Sequence, residues 1–264
     1  MATLLLVHAH PDDESIWTGG VTLRAHAEGH RVVLVTATRG EEGIRDGEAE
    51  APAAAVRSRE LWRACRVLGV DRHAFLGYRD SGMRGPELAP EPAFAAAPLV
   101  EAAQRLAAVI EEERPEVVVT YGRDGTYGHP DHCRAHHVTL TAIDLLRPAG
   151  WRPRKLYLHA VPRSTLRRVG ELVRRAGCAT REMRSFLRIP GTPDEELTTV
   201  VDVRDLLDGK LRAFAEHRSQ YERDRFFQET GRDVLEAAFG REAFVLACGE
   251  PGEPPPERSL FSGL

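Results

Sequence analysis

The stretch Thr3–Ser15, TLLLVHAHPDDES, runs from an unbroken apolar segment straight into a cluster of histidines and acids. An apolar run without polar alternation reads as a strand buried on both faces, the pattern of a parallel sheet covered by helices. The same pattern recurs at Arg31–Ala37 (RVVLVTA), His73–Leu76 and Glu116–Tyr121 (EVVVTY), with helical periodicity near Ser15–Glu28, Ala53–Leu68 and Pro98–Glu113 between them. Strand and helix in strict alternation predict a doubly wound α/β domain with a mostly parallel sheet and right-handed crossovers. In that architecture ligands bind beyond the carboxyl ends of the strands, where HAHPDDES lies.

Downstream, a helix is expected over His132–Leu146, a strand over Lys155–His159 and mixed structure to Ala247. No Pro- or Gly-rich linker interrupts residues 1–248, which read as one domain. The tail Gly249–Leu264, containing GEPGEPPPE, is too rich in Pro and Gly for regular structure and is expected to wrap the surface or stay disordered.

Composition narrows the functional classes. The chain has 264 residues, 42% hydrophobic and 29% charged, with a formal charge of −4. There is no basic excess to grip nucleic acid or anionic lipid, and no apolar run approaches the ~20 residues of a membrane span. The start, MATLLLVHAH, lacks a signal peptide's basic flank and cleavage site, so the chain reads as soluble and cytoplasmic. Cys65, Cys133, Cys178 and Cys248 stand apart from one another, which suggests neither a disulfide framework nor a thiolate metal site.

Two polar clusters carry the chemistry. In HAHPDDES, His10 and Asp13 have the spacing across a Pro turn at which an imidazole and a carboxylate reach one divalent ion, while Asp12 points elsewhere and is free to act as a base on an activated water. After EVVVTY comes YGHPDHCRAHH, in which His132 supplies a third ligand and leaves a coordination position open. Each cluster alone reads equally well as a capped helix start, with Asp12, Asp13 or Asp131 as the cap. Two such clusters at two strand ends favour a site. His136, one turn beyond His132, reads as a supporting group, His8 as a buried structural histidine, and His26, His30, His73, His159 and His217 as structural or surface residues.

The pair HPDDE and HPDH, in this order on an α/β chain, resembles the PIG-L/LmbE family of metal-dependent N-acetylglucosaminide deacetylases over about residues 3–248. The resemblance implies a Rossmann-like sheet. It also implies His10, Asp13 and His132 as zinc ligands, Asp12 as general base and His129 as the group that polarises the carbonyl. Fe(II) or another divalent metal suits the same donors.

On the substrate side, GYRDSGM (Gly77–Met83) has turn chemistry. It also looks like a stretch of the mycothiol-pathway members, which implies Asp80 as a sugar ligand and Met83 as an apolar wall. On the second helix Arg57 and Glu60 share the inward stripe with Leu61, Ala64 and Leu68, so they either pair with each other or, as the family's R-x-x-E pattern implies, Arg57 reaches the pocket; Arg59 points away. The loop TRGEEGIRDG offers Glu41 or Glu42 to substrate, and Tyr127 can swing over the site.

The reading is hydrolysis of the acetamide of a small-molecule N-acetylglucosamine-type glycoside by metal-activated water, in the synthesis of a low-molecular-weight thiol of mycothiol or bacillithiol type. Cleavage of the amide in thiol S-conjugates is the alternative on the same site, and homo-oligomerisation stays open. A non-catalytic nucleotide-binding protein is disfavoured because HPDDE stands where G-x-G-x-x-G would be needed. A two-metal phosphoesterase is disfavoured by the small number of ligands.

Overall fold

The computed structural model describes residues 1–44, 51–83, 93–177 and 179–264. Its centre is a seven-stranded sheet. Strands β1 (Thr3–His8), β2 (Arg31–Thr38), β3 (Arg72–Tyr78), β4 (Val117–Tyr121) and β5 (Lys155–Ala160) are parallel, and β6 (Thr199–Asp202) and β7 (Arg241–Cys248) are antiparallel additions. The order is β3-β2-β1-β4-β5-β7-β6. From β1 the chain winds outward to β2 and β3, then returns to place β4 on the other side of β1. The crevice between the carboxyl ends of β1 and β4 is therefore the point where strand order reverses.

The unbroken apolar strands have a direct explanation. Leu5 and Val7 of β1, with Val33, Val35 and Val118, face one side, where helices α3 (Leu99–Glu113) and α5 (Pro130–Leu146) contribute Leu106, Ile110, Val138 and Ala142. Leu4 and Leu6, with Val32, Leu34, Val117 and Val119, face the other, against Val21 and Ala25 of α1 (Asp13–Ala27) and Leu61 and Cys65 of α2 (Ala53–Leu68). Both faces are dry, so neither strand position can be polar. A one-turn helix α4 (Gly125–Gly128) precedes α5. Among the described residues no helix is long and apolar enough to cross a membrane.

The mixed region beyond β5 resolves into α6 (Arg163–Ala176), α7 (Arg181–Phe186), α8 (Leu207–Ala215), α9 (Arg218–Tyr221), α10 (Arg225–Glu229) and α11 (Arg232–Phe239) around the antiparallel strands. Of the two alternatives expected for the tail, it takes the first and lies against the sheet. It forms no helix or strand, yet Glu257 is fully buried, where it accepts from Lys155 Nζ (2.5 Å), Tyr157 Oη (2.7 Å), Thr199 Oγ1 (3.1 Å) and Gly252 N (2.8 Å). One buried carboxylate thus pins the segment across β5 and β6. Cys65, Cys133 and Cys248 are free thiols, and Cys178 lies outside the described residues.

Candidate active site

The carboxyl ends of β1 and β4 bring His10, Asp13 and His132 together. His10 Nδ1 is 3.2 Å from His132 Nε2 and 3.4 Å from Asp13 Oδ2, and His132 Nε2 is 3.3 Å from Asp13 Oδ1. A tetrahedral ion with bonds of about 2.1 Å separates its donors by about 3.4 Å; the two imidazole nitrogens stand at about that spacing, with one Asp13 oxygen beside each of them. The outer atoms agree. His132 Nδ1 faces the Gly125 carbonyl at 3.2 Å and can only donate to it, and His10 Nε2 faces the Asp131 carboxylate at 3.2 Å. With both rings neutral, each would turn a lone pair toward the other beside a carboxylate, an arrangement that suits a cation. Asp13 is itself anchored: Oδ2 accepts from Tyr121 Oη (2.7 Å) and the His10 amide (2.8 Å), and Oδ1 from Trp17 Nε1 (3.1 Å). Burial alone would lower the His10 pKa, but Asp80, Asp13 and Asp131 hold it well above the ordinary histidine value.

Two other groups converge on His10. Donor atoms of His10, His129 and His132 lie within 4.8 Å of one another, as do those of His10, Asp80 and Asp131. The helix start separates His129 from the ligand triangle. His129 is the N-cap of α5, its Nδ1 accepting from the Asp131 amide at 3.1 Å. That leaves the proton on Nε2, the tautomer of a hydrogen-bond donor and not of a ligand at that atom. Burial, aided by His10 and His132, pushes its pKa down to about 3, so the ring is neutral.

Asp12 sits at the N-cap position of α1, but its side chain makes no cap bond. Its backbone has a φ of 118°, unusual for a residue with a side chain, and its Oδ2 accepts from Arg57 Nη2 at 2.9 Å. Burial pushes the Asp12 pKa up to about 7, opposed by the Arg57 guanidinium. A carboxylate so poised is suited to general-base work near neutrality. Tyr127 is 39% exposed, with its ring 4.9 Å from that of His132. The flanking Thr126 is held at a φ of 71°.

The substrate-side residues are distributed differently from expectation. Arg57 is buried, but Nη2 donates to Asp12 Oδ2 (2.9 Å) and to the Pro11 carbonyl, and Nη1 to the Gly40 carbonyl (3.1 Å). It grips the turn that carries Asp12. Glu60 is not its partner, because that carboxylate accepts from Ser219 N (2.8 Å) and Ser219 Oγ (2.7 Å). Arg59 is exposed. Asp80 is buried with Oδ1 3.5 Å from His10 Nε2, and Glu41 accepts the Asp80 amide at 3.0 Å. Glu42 instead forms an exposed pair with Arg79 (3.2 Å). Met83, expected as an apolar wall, is 63% exposed. Residues 45–47 of the Glu41–Glu42 loop lie outside the described residues.

Sequence reasoning missed four supports. Asp131, fully buried, accepts from Ser81 N (2.9 Å) and Ser81 Oγ (2.5 Å) besides facing His10. Tyr121 Oη joins Asp13, the Ala9 amide (2.9 Å) and His8 (3.1 Å). Glu14 and His217 form a buried pair at 2.7 Å. Asp131 and Glu14 are visible within HPDH and HPDDE themselves, whereas His217, 203 positions from Glu14, has no local signal.

Residues 5–143 match the family described as PIG-L: GlcNAc-PI de-N-acetylase. A 1D-myo-inositol 2-acetamido-2-deoxy-alpha-D-glucopyranoside deacetylase of Acidothermus cellulolyticus is 41% identical, across 99% of this chain and 95% of its own length. Among solved structures, the N,N'-diacetylchitobiose deacetylase of Pyrococcus horikoshii superposes with a TM-score of 0.63 at 20% identity, covering 93% of this chain and 83% of the other. A 4-carboxy-2-hydroxymuconate hydratase of Pseudomonas putida superposes at 0.57 and 19% identity, covering 96% and 99%, so structural likeness at this distance speaks for the fold alone. The family match over half the chain and the near full-length relative carry the conclusion that this protein belongs to the PIG-L family.

Proposed function

We propose that this chain is an N-deacetylase that hydrolyses the acetamide of a 2-acetamido-2-deoxy-glucopyranoside joined to inositol, releasing acetate and a free amine, with zinc as the working metal. The observation that carries the reading is the convergence of His10, Asp13 and His132, with the two imidazole nitrogens 3.2 Å apart and an Asp13 oxygen 3.3 to 3.4 Å from each. Relatives named for that substrate narrow the sugar.

His10, Asp13 and His132 would hold a divalent ion, which would supply positive charge and lower the pKa of a water. The chain's residues do the rest. Asp12 removes the proton of the attacking water, then returns it to the departing nitrogen. His129, held neutral with its proton on Nε2, donates to the carbonyl oxygen as negative charge develops there, a contribution of about 3 kcal/mol for donors of this kind. Tyr127, its ring 4.9 Å from that of His132 and 6.1 Å from that of His129, is placed to close over the same region. Arg57 keeps the Asp12 carboxylate aimed, and Asp80 offers an acceptor to a sugar hydroxyl.

The test is acetate release from the inositol glycoside, from N-acetylglucosaminides with other aglycones and from amide-linked thiol S-conjugates, using enzyme reconstituted with zinc or, without air, with Fe(II). Preference for the inositol glycoside is expected. Turnover of the S-conjugates alone would replace the substrate, and higher activity with Fe(II) would replace the metal.

A further inference from the structure

The base turn is gripped from a part of the chain far away in sequence and outside the family match. His217 lies at the joint between α8 and α9. Its Nε2 is 2.7 Å from Glu14 Oε1, with both side chains fully buried. Glu14 Oε2 in turn accepts the backbone N–H of Asp12 at 2.9 Å. Two residues later in the same joint, Ser219 binds both oxygens of Glu60 on α2, the helix whose Arg57 holds the Asp12 carboxylate. Gln220 Nε2 donates to the Gly43 carbonyl at 3.1 Å, fixing the neighbouring loop. One short segment therefore reaches Asp12 by two routes, through its amide and through its carboxylate.

Two observations argue that this is more than packing. Asp12 holds a φ of 118°. A side chain in such a conformation persists only where its surroundings over-determine it, and the Glu14 carboxylate on the strained amide is such a restraint. A fully buried ionisable pair, for its part, contributes little net stability, since desolvating both groups offsets their attraction. Among the described residues His217 Nδ1 is buried without a partner, so Glu14 is the polar contact that orients the ring.

We infer that the α8–α9 joint, acting through His217 on Glu14, sets the geometry of the Asp12 base, making His217 and Glu14 positioning residues for the hydrolysis. The inference rests on the proposed role of Asp12. It makes correct aim of the base depend on the docking of the C-terminal helices.

The experiment compares His217→Ala, His217→Gln and Glu14→Gln with exposed Arg218→Ala as control, in the metal-loaded full-length protein. Metal content, kcat, KM and hydrogen exchange of the segment covering residues 10–16 are measured. For His217→Ala we expect wild-type metal content, KM within about threefold, kcat lower by about 10- to 100-fold, and faster exchange at the Asp12 amide. His217→Gln, which can still donate to Glu14, should recover most of both losses, and Glu14→Gln should fall between. In an Asp12→Asn background the His217→Ala effect on kcat should shrink to about threefold or less, because the group it positions is gone. A full additional loss in that background would overturn the inference, as would unchanged exchange at Asp12 or a kcat loss that only tracks lost metal or lost fold. Should the wild type release no acetate from any substrate, the proposed function fails, while the exchange measurement still tests the restraint on Asp12.

Discussion

The turns after β1 and after β4 carry nearly the same letters, HPDD and HPDH, but they are built in opposite ways. The β1 turn is held from outside: Arg57 from α2, Tyr121 from β4 and Glu14 backed by His217 all fasten it, against the strained Asp12 backbone. The β4 turn takes Ser81 and His10 on Asp131 from outside, but its remaining bonds are its own. Asp124 caps the Thr126 amide, His129 caps its own helix at Asp131, and His132 Nδ1 meets the Gly125 carbonyl. The difference matches the work proposed for each. On the β1 turn two ligands and the base must hold fixed relative positions, because misplacement by about 1 Å costs ~10²-fold in rate, whereas on the β4 side only His132 needs that precision and a carbonyl donor and a tyrosine on a short local loop can adjust to substrate.

If that contrast is right, the largest loss should come from the β1 side. Asp13→Asn should weaken metal binding beyond the ~10- to 100-fold typical of losing a group that merely supports a ligand, and activity should partly return in excess metal. Retention of stoichiometric metal after dialysis would remove Asp13 from the ligand set. Asp12→Asn comes next. It should keep its metal and lose ~10² to 10⁴ in kcat, and loss of the ion here with retention in Asp13→Asn would exchange the two roles.

His129→Ala tests the β4 side. A fall of ~10² to 10³ in kcat with metal retained is expected, together with about 1 kcal/mol of stability for the lost helix cap, measurable by thermal unfolding. Metal loss would instead make His129 a ligand, through its convergence with His10 and His132. Arg57→Ala should lower kcat by about 10- to 100-fold with little change in KM, because the guanidinium bonds to the base and its turn. A rise in KM alone would return Arg57 to substrate binding. The smallest effect on turnover belongs to Glu257→Gln in the pinned tail. It leaves the buried Lys155 without its countercharge and should cost roughly 3 kcal/mol of stability, yet kcat of the folded protein should match wild type.

Much of this is legible in the sequence. Dry faces on both sides of the sheet force continuous apolar strands, so TLLLV, RVVLV and EVVVTY declared a parallel α/β core and thereby the strand ends where chemistry belongs. Within HPDDE and HPDH, donor types and spacing were enough to nominate His10, Asp13 and His132, because those contacts are local or end on two neighbouring strands. The antiparallel β6 and β7 were not legible: they lie at the sheet's end, where burial is partial and the pattern of apolar residues weakens.

What tertiary structure alone decided are the choices between chemically equal partners. Sequence could not say that Arg57 would turn to Asp12 and leave Glu60 to Ser219, that Glu41 would meet the Asp80 amide while Glu42 paired with Arg79, or that Met83 would face outward. Nor could it join His217 to Glu14 or bury Glu257 under β5 and β6. Periodicity and motif spacing report the face a residue occupies on its own element. The partner it meets there is set by how elements far apart in the chain pack together, and a buried charge accepts whichever complementary group that packing delivers.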